Sequence, residues 1–301
     1  MQEEYVEDLI RRINTSGDLA PGMRSSETIS WKAYREAEKL TDVSLYPVLK
    51  KLILLHPQEE YADYREAAYH ILVQLLKNVP KDEYFIFFLE QLEKEHNSEL
   101  LCSVLFSARD IKIPPAVSAD SIIALTKSED EMVRNDAIYA LQSSATPESR
   151  QALRYYIEQE DVKTFKDEIT NANMALGEIG CAEDIPVLEK HTKNVNGDIR
   201  GSANIAIAKI KERLGVIEEA GESTAHADED ETEWEQKSRQ AAKDELISIL
   251  EDMGIRSQED FESQSEEEGA ELYERIEAGI LEVYDVDEDT IEELFEEILG
   301  Q

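Results

Sequence analysis

A helical motif that returns about every 35 residues constrains this chain more than any other feature of its sequence. Its two clearest copies are Val133-Arg134-x-x-Ala137-x-x-Ala140-Leu141 and Ile199-Arg200-x-x-Ala203-x-x-Ala206-Ile207. Aligned on the small residue that lets two helices approach, the copies fall at Ala33, Ala68, Ser103, Ala137, Ala172 and Ala203. Repeats of this length stack helix pairs, each burying its apolar face against the next. The spacing therefore predicts an all-α fold, a right-handed α-solenoid of about five or six helix pairs.

Each motif helix follows a partner helix with an apolar face. The partner segments lie at 45–53, 84–92, 122–125, 153–157 and 185–188. Thr146-Pro147-Glu148 and Asn196-Gly197-Asp198 combine capping residues with turn residues, and both predict helix starts. Gly180 ends the motif copy around Ala172, and we expect it to terminate that helix in the left-handed conformation.

The periodicity changes after residue 214 and divides the chain into four predicted segments. N-terminal capping helices occupy 1–40, and the repeat solenoid occupies 41–214. An acidic flexible linker follows at 215–235, where large apolar residues are few and like charges are dense. Residues 236–301 form an acidic helical module with three apolar stripes, the clearest of which contains Ile291, Leu294 and Ile298. These helices either pack as a small bundle or become ordered on docking to a partner.

The formal net charge of −37 lies mainly in the last part of the chain. Residues 1–214 carry −11 and residues 215–301 carry −26. Phosphate groups are repelled by such a surface, so we expect no direct binding to nucleic acid or to an anionic membrane. A basic protein partner is favoured, and the field would accelerate its encounter. Solubility alone is the other explanation for this charge.

The cysteines and the first residues indicate the compartment. Only Cys102 and Cys181 are present, so no disulfide framework is expected and both thiols are expected to be structural. The acidic start of the chain lacks the apolar segment of a signal peptide, and no apolar run is long enough to span a bilayer. We therefore predict a cytoplasmic protein. The sequence leaves the oligomeric state open.

The Val-Arg-x-x-Ala-x-x-Ala-Leu motif and the Ala175-Leu176-Gly177-Glu178-Ile179-Gly180 end resemble HEAT repeats, in particular the HEAT-like group described in phycobilisome lyase subunits. The resemblance is firm from about 128 to 214 and extends back to about 41. It implies a solenoid whose second helix in each pair lines the concave side. A lyase or chaperone-like role for a cofactor protein remains an alternative on the repeat type alone.

Two enzymatic families of HEAT-like fold do not fit. Deoxyhypusine hydroxylases ligate iron through repeated His-Glu pairs, and here no histidine is followed by glutamate: His56, His70, His96, His191 and His226. HEAT-like DNA glycosylases need a basic concave surface, whereas this chain is acidic. No phosphate-binding glycine loop, Ser/His/Asp arrangement or metal-spaced Cys/His cluster occurs in the sequence. We therefore predict no catalytic residues, no metal site and no cofactor.

One acidic segment has part of a calcium-loop pattern. Asp285, Asp287, Asp289 and Glu296 match carboxylate positions of an EF-hand loop, but Thr290 stands where glycine is required. The apolar stripe from Ile291 also requires continuous helix through the second half of the loop. We therefore interpret Asp289 with Glu292 as a capping box at a helix start.

The resemblance places a set of polar and aromatic side chains on the concave surface. These candidate partner-binding residues are His70, Asn135, Tyr139, Asn171, Asn173 and Asn204. A row of asparagines there would hydrogen-bond a partner, although solvated asparagines are the simpler interpretation. A second candidate surface is the acidic module, whose carboxylates are interleaved with Trp234, Phe261, Tyr273, Tyr284 and Phe295. The alternative is that these aromatic residues form the core of the small bundle, and we expect this for Tyr273 and Phe295.

These features predict a non-enzymatic protein-binding scaffold or adaptor. Its concave surface would hold one partner, and its acidic module would recruit a basic one. The alternative is an immunity-type inhibitor, a nucleic-acid mimic that neutralises a basic, nuclease-like toxin.

Overall fold

A computed structural model describes residues 1–16, 19, 22–216 and 227–300, with side chains omitted for 227–233. Throughout these residues the chain is helical and contains no β-strand, which confirms the predicted all-α class. The chain divides into two compact units, Met1–Leu153 and Arg154–Gln301. This boundary falls inside a helix of the repeat region, whereas the sequence suggested a division near residue 215.

The first unit contains eight α-helices among its described residues. They are α1 Gln2–Ile13, α2 Ile29–Ala37, α3 Tyr46–Leu55, α4 Ala62–Asn78, α5 Asp82–Leu92, α6 Ser98–Ala108, α7 Asp120–Leu125 and α8 Glu131–Ala140. The next helix, α9, spans Pro147–Ile157 and contains the division between the units.

The second unit continues with seven α-helices in the part of the chain that the structure describes. They are α10 Lys166–Ile179, α11 Ile185–Glu189, α12 Gly197–Arg213, α13 Ala227–Asp252, α14 Gln258–Glu262, α15 Glu266–Ile276 and α16 Glu288–Leu299. A short π-helical segment, Glu277–Leu281, continues α15.

Within the first unit the motif helices pack in series. Helix α2 contacts α4, α4 contacts α6, and α6 contacts α8, while α1, α3 and α7 pack on α2, α4 and α8 respectively. The alanines at the aligned motif position, Ala33, Ala68 and Ala137, are completely buried. Ser103 differs: it is half-buried, and its hydroxyl donates to Glu66 on α4 at 2.5 Å. The register assigned to Ser103 therefore places a polar contact, rather than a small buried side chain, between α4 and α6.

The arginine of the motif ties each motif helix to the turn that precedes it. Arg65, Arg134 and Arg200 each use Nη1 to donate a hydrogen bond to a backbone carbonyl upstream of the helix. The acceptors are, in chain order, the carbonyls of Gln58 (2.6 Å), Ser128 (2.9 Å) and Asn194 (2.8 Å). The carbonyls of Ser128 and Asn194 accept no backbone N–H from the described residues, so the arginine satisfies groups that would otherwise need water. The Gln58 carbonyl also accepts from the Tyr61 backbone N–H at 3.0 Å.

Arg65 also forms a buried ion pair. Its Nε and Nη2 donate to the two carboxylate oxygens of Glu95, both at 2.9 Å, and the two side chains are only 4% and 8% exposed. The carboxylate also accepts from the backbone N–H groups of His96 and Asn97, which lead into α6. One ion pair thus joins the start of α4 to the start of α6.

In the second unit α10 and α12 pack closely because Gly177 has no side chain. A Cβ at Gly177 would lie 2.9 Å from the Cα of Ala206. Gly180 does not adopt the left-handed conformation that we expected, since its φ is −69° and its ψ is 165°. A Cβ there would instead lie 2.5 Å from the carbonyl oxygen of Leu176 and 2.8 Å from Ile210 Cδ1. Glycine is required at both positions because a Cβ would be too close to neighbouring atoms, and not because the backbone is left-handed.

The C-terminal helices form one apolar cluster. The three predicted stripes meet in it, through Leu246 and Leu250 of α13, Leu272 and Ile276 of α15, and Leu294 of α16. Helix α13 begins at Ala227, so the second half of the predicted 215–235 linker is helical. The stretch 217–226 of that linker lies outside the described residues.

Two carboxylates of the calcium-like segment, those of Asp285 and Asp287, are engaged in other contacts. Asp287 is the N-cap of α16 and accepts from the Thr290 backbone N–H at 2.8 Å, so the cap lies two residues before the predicted Asp289–Glu292 box. Asp285 pairs with Arg200 at 2.7 Å. Among the described residues, no group of three or more His, Cys, Asp or Glu side chains is arranged to hold a metal ion.

Hydrogen bonds join the C-terminal helices to the turn before α12. Asn196, the N-cap of α12, donates from its side-chain amide to the carbonyl of Val283 at 2.7 Å, and this contact is buried. The hydroxyl of Ser238 on α13 donates to the carbonyl of Val195 at 3.0 Å. The guanidinium of Arg200 lies 3.8 Å from the centre of the Trp234 ring. The acidic module is therefore docked on the last motif helix rather than separated from it.

Two glycines of the second unit test the close approach of α10 and α12. We expect Gly177→Ala to destabilise the protein by about 1–3 kcal/mol, because the added methyl group overpacks the contact with Ala206. Gly201→Ala is the matched control: its Cβ would meet nothing within 4 Å, and alanine should stabilise α12 by about 0.5–1 kcal/mol. Urea unfolding of both variants measures the difference. Equal effects would show that the helices do not need this glycine.

The Arg65–Glu95 pair gives a second stability test. We expect Arg65→Met to cost about 3–5 kcal/mol, because it leaves the Glu95 carboxylate buried without its partner. Adding Glu95→Gln should recover part of this loss, since the amide is neutral and its oxygen can still accept from the backbone N–H groups of His96 and Asn97, before α6. Thermal unfolding of the two single variants and the double variant would measure the coupling. If the destabilisation of the double variant equals the sum of the destabilisations of the two single variants, Arg65 and Glu95 do not stabilise each other.

Candidate partner-binding site

A cleft of about 490 Å³ lies on the motif helices of the first unit. Helix α2 contributes Tyr34, α4 contributes Asp63, Glu66 and His70, and α6 contributes Ser103 and Phe106. It thus combines aromatic rings, carboxylates and an imidazole. One predicted partner-binding residue, His70, lies in it.

His70 has a buried nitrogen in this cleft. Its Nε2 atom is shielded from solvent and has no hydrogen-bond partner among the described residues. The imidazole meets the ring of Tyr34 edge-on, with centroids 4.8 Å apart. Burial lowers the pKa of His70, and the Glu38 carboxylate partly opposes this shift. The lowered pKa favours the neutral imidazole, which leaves Nε2 as an unsatisfied polar atom in the wall of the cleft.

Carboxylates line the same cleft. The Glu66 carboxylate accepts a hydrogen bond from the Ser103 hydroxyl at 2.5 Å. The pKa of the Tyr34 hydroxyl is raised mainly by burial and also by the negative charge of Glu66. Asp63 lies at the start of α4, where its backbone carbonyl accepts from Asn14 at 3.1 Å. The charge of these acids favours basic groups in a ligand.

The far side of the cleft is aromatic. Phe106 is 55% exposed, and the guanidinium of Arg109 lies 3.6 Å from its ring centroid. The same guanidinium lies 5.2 Å from the ring of Tyr139 on α8. Arg109 therefore connects the predicted residue Tyr139 to Phe106 through two cation–π contacts. Asn135, one turn before Tyr139, is half-buried and already has an interaction partner.

The predicted asparagines of the second unit do not form a common surface. Asn173 is completely buried, and its amide donates to Ser202 Oγ at 3.0 Å, so it joins α10 to α12 and cannot face a partner. Asn204 is exposed but donates to the Arg200 carbonyl of its own helix at 3.0 Å. Asn171 is half-buried and engaged in an interaction. The prediction for Asn173 is wrong because side-chain packing between helices turned a polar position inward.

Cys102 borders this region on α6. Burial and a hydrogen bond to Asp136 raise the pKa of its thiol to about 12. A thiol with this pKa is almost entirely protonated at neutral pH, and the thiolate is the nucleophilic form. This agrees with the structural role predicted for Cys102.

Sequence reasoning missed Tyr34, Glu66 and Phe106 in the cleft. A periodic signal was present, because Tyr34, His70, Phe106 and Tyr139 follow one another at intervals of 36, 36 and 33 residues. These intervals are close to the repeat length, so the side chains occupy similar places on successive motif helices. An aromatic position at the repeat period would have identified Tyr34 and Phe106, but not Glu66.

Comparisons with known proteins add little to this geometry. No protein-family model and no curated protein matches the sequence significantly. The crystal structure of an engineered protein from the Northeast Structural Genomics Consortium is similar over 69% of this chain and 97% of its own, with a TM-score of 0.38 and 18% identity. None of the described helices is both long and apolar enough to cross a membrane.

The buried imidazole predicts a pH dependence. An unfolded chain binds a proton at His70 near pH 6.5, whereas the folded protein binds it only at lower pH, so protonation favours unfolding. Above about pH 6.5 His70 is neutral in both states and does not lower the free energy of unfolding. As the pH falls from about 6.5 toward the lowered pKa of the folded state, the free energy of unfolding decreases. We expect His70→Gln to remove this part of the dependence. Urea unfolding from about pH 8 to pH 5.5 checks it, and parallel curves for both proteins would exclude it.

Proposed function

We propose that this chain is a non-enzymatic, cytoplasmic scaffold that holds a protein partner in the cleft of the first unit. The observation that carries the proposal is the cleft itself, where half-exposed aromatic rings stand beside carboxylates and a neutral imidazole. Aromatic side chains supply much of the binding energy in protein interfaces, and carboxylates select basic segments. A protein segment with apolar and basic side chains fits this chemistry best.

The architecture that we propose for this scaffold is a HEAT-like solenoid. The serial contacts of α2, α4, α6 and α8 support it, as do the buried alanines at the repeat position. In solenoids of this kind each repeat contacts its neighbours and leaves one face of every motif helix available. Such a series of faces suits an elongated protein segment.

Inhibition of a basic protein is a second candidate function. The acidic helices favour it: residues 257–300 contain eighteen acidic side chains and one basic one, Arg275. Such a surface would steer a cationic nuclease-like protein into contact and compete with its nucleic acid. Salt distinguishes the two candidates. The association rate of an electrostatic inhibitor should fall steeply with ionic strength, whereas an adaptor contact made by aromatic rings should persist.

Affinity capture with two matched variants tests the cleft. We expect Phe106→Ala to weaken partner binding by about 2 kcal/mol, because it removes a central aromatic contact, while the fold persists since the ring is 55% exposed. Tyr155→Ala is the control, because that ring is 56% exposed in the second unit. Proteins retained from host lysate at low and high salt would be identified by mass spectrometry.

The expected result is a protein retained by the wild type and by Tyr155→Ala at high salt but lost from Phe106→Ala. Equal retention by all three baits would place the partner site outside the cleft. A basic protein that all three release at high salt would favour the inhibitor.

A further inference from the structure

The acidic module carries an apolar groove of about 370 Å³ between α14, α15 and α16. Its walls include Phe261 of α14, Leu272, Tyr273 and Ile276 of α15, and Phe295 of α16. The rings of Phe261 and Phe295 lie 5.3 Å apart and form one end wall. Tyr273 is 54% exposed and Phe261 is 37% exposed, so apolar surface remains open to solvent in a segment otherwise dominated by carboxylates.

Negative charge surrounds this groove. Each of its three aromatic residues is followed directly in the sequence by an exposed glutamate: Glu262, Glu274 and Glu296. Glu266 lies in the lining itself. The balance over residues 257–300 is −17, so an occupant of this groove must bring compensating positive charge.

We propose that this groove binds an amphipathic, basic α-helix of a partner protein. Apolar side chains at i, i+3, i+4 and i+7 spacing would pack between Phe261, Tyr273 and Phe295, and lysines or arginines on the flanks of the same helix would pair with the surrounding glutamates. The inference rests on the recruitment of a basic partner that the sequence predicts for the acidic module, and it names the site and the form of that partner.

Charge argues against other occupants. A second copy of this chain would bring an acidic surface to an acidic groove, and the acidic 217–226 stretch of the same chain would be repelled in the same way. Nucleic acid and anionic membranes carry phosphate and are disfavoured for the same reason. A basic helix satisfies both the apolar lining and the carboxylates.

Gly269 allows the groove to be blocked without loss of the fold. It lies in the groove wall within α15, and a Cβ at this position would meet nothing within 4 Å. A leucine there would project into the groove. It would also favour α15, since glycine is a poor residue in a helix interior. The neighbouring Ala270 is exposed on α15 and does not line the groove, so Ala270→Leu is a matched control.

The test uses the full chain and three synthetic fluorescent peptides of about 18 residues. The first has leucines at i, i+3, i+4 and i+7 spacing and lysines or arginines elsewhere. The second has the same composition in scrambled order, so that its helix has no apolar face, and the third carries glutamate in place of each basic residue. Fluorescence anisotropy measures their dissociation constants for the wild type, Gly269→Leu and Ala270→Leu, and circular dichroism verifies that each variant is folded.

We expect the wild type and Ala270→Leu to bind the basic amphipathic peptide at least about tenfold more tightly than the scrambled one. Gly269→Leu should lose this preference while still binding both basic peptides weakly through charge. The glutamate peptide should not bind. Equal binding of the amphipathic and scrambled peptides to all three proteins would overturn the groove while leaving acidic recruitment intact. No binding of either basic peptide would overturn both, and it would leave the cleft of the first unit as a separate question for affinity capture.

Discussion

Close approach of neighbouring motif helices is the constraint on which the rest of this structure depends. It requires small side chains where the helices cross: Ala33, Ala68 and Ala137 in the first unit, and Gly177 against Ala206 in the second. At Gly177 an added methyl group would meet the backbone of Ala206, which cannot move without shifting a whole helix. The remaining residues of each motif helix either pack against a partner helix or are exposed on the surface.

The motif arginine bonds to backbone carbonyls in the turns before the motif helices. The turns that lead into the motif helices leave some carbonyl groups without helical partners. Arg134 and Arg200 supply donors to two such carbonyls from the helix that follows. Arg65 donates in the same way to Gln58, whose carbonyl also accepts from the Tyr61 backbone N–H. Arg200 also takes a further role: it pairs with Asp285 and lies against Trp234, which connects the last motif helix to the acidic module.

The two candidate binding surfaces differ in how they combine charge and apolar area. The cleft of the first unit contains a neutral imidazole and two acids beside exposed rings, within a unit of moderate charge. The groove of the acidic module has a more apolar lining within a much denser field of carboxylates. The first suits contacts that persist in salt, and the second suits rapid capture of basic segments. A scaffold with both would hold one partner in the proposed cleft and recruit another, by charge, to the proposed groove.

The sequence by itself determined the features that depend on the periodic spacing of apolar residues, because that spacing can be seen within each short segment of the chain. The helical class follows from the repeat period and the apolar stripes, and so do the positions of motif and partner helices and the small residues at 33, 68, 137, 172 and 203. The start of α12 was predictable from the turn and capping residues at 196–198, although the cap is Asn196 itself. The cap at Asp287 was not predictable, because several acids compete for the same helix end. Only the tertiary structure decided which side chains of the motif helices are exposed. Asn173 is buried in the α10–α12 contact, whereas Phe106 is exposed. It also decided that the acidic module docks through Val283 and Ser238 on the turn before α12, because such contacts join residues distant in the chain whose pairing no local pattern records.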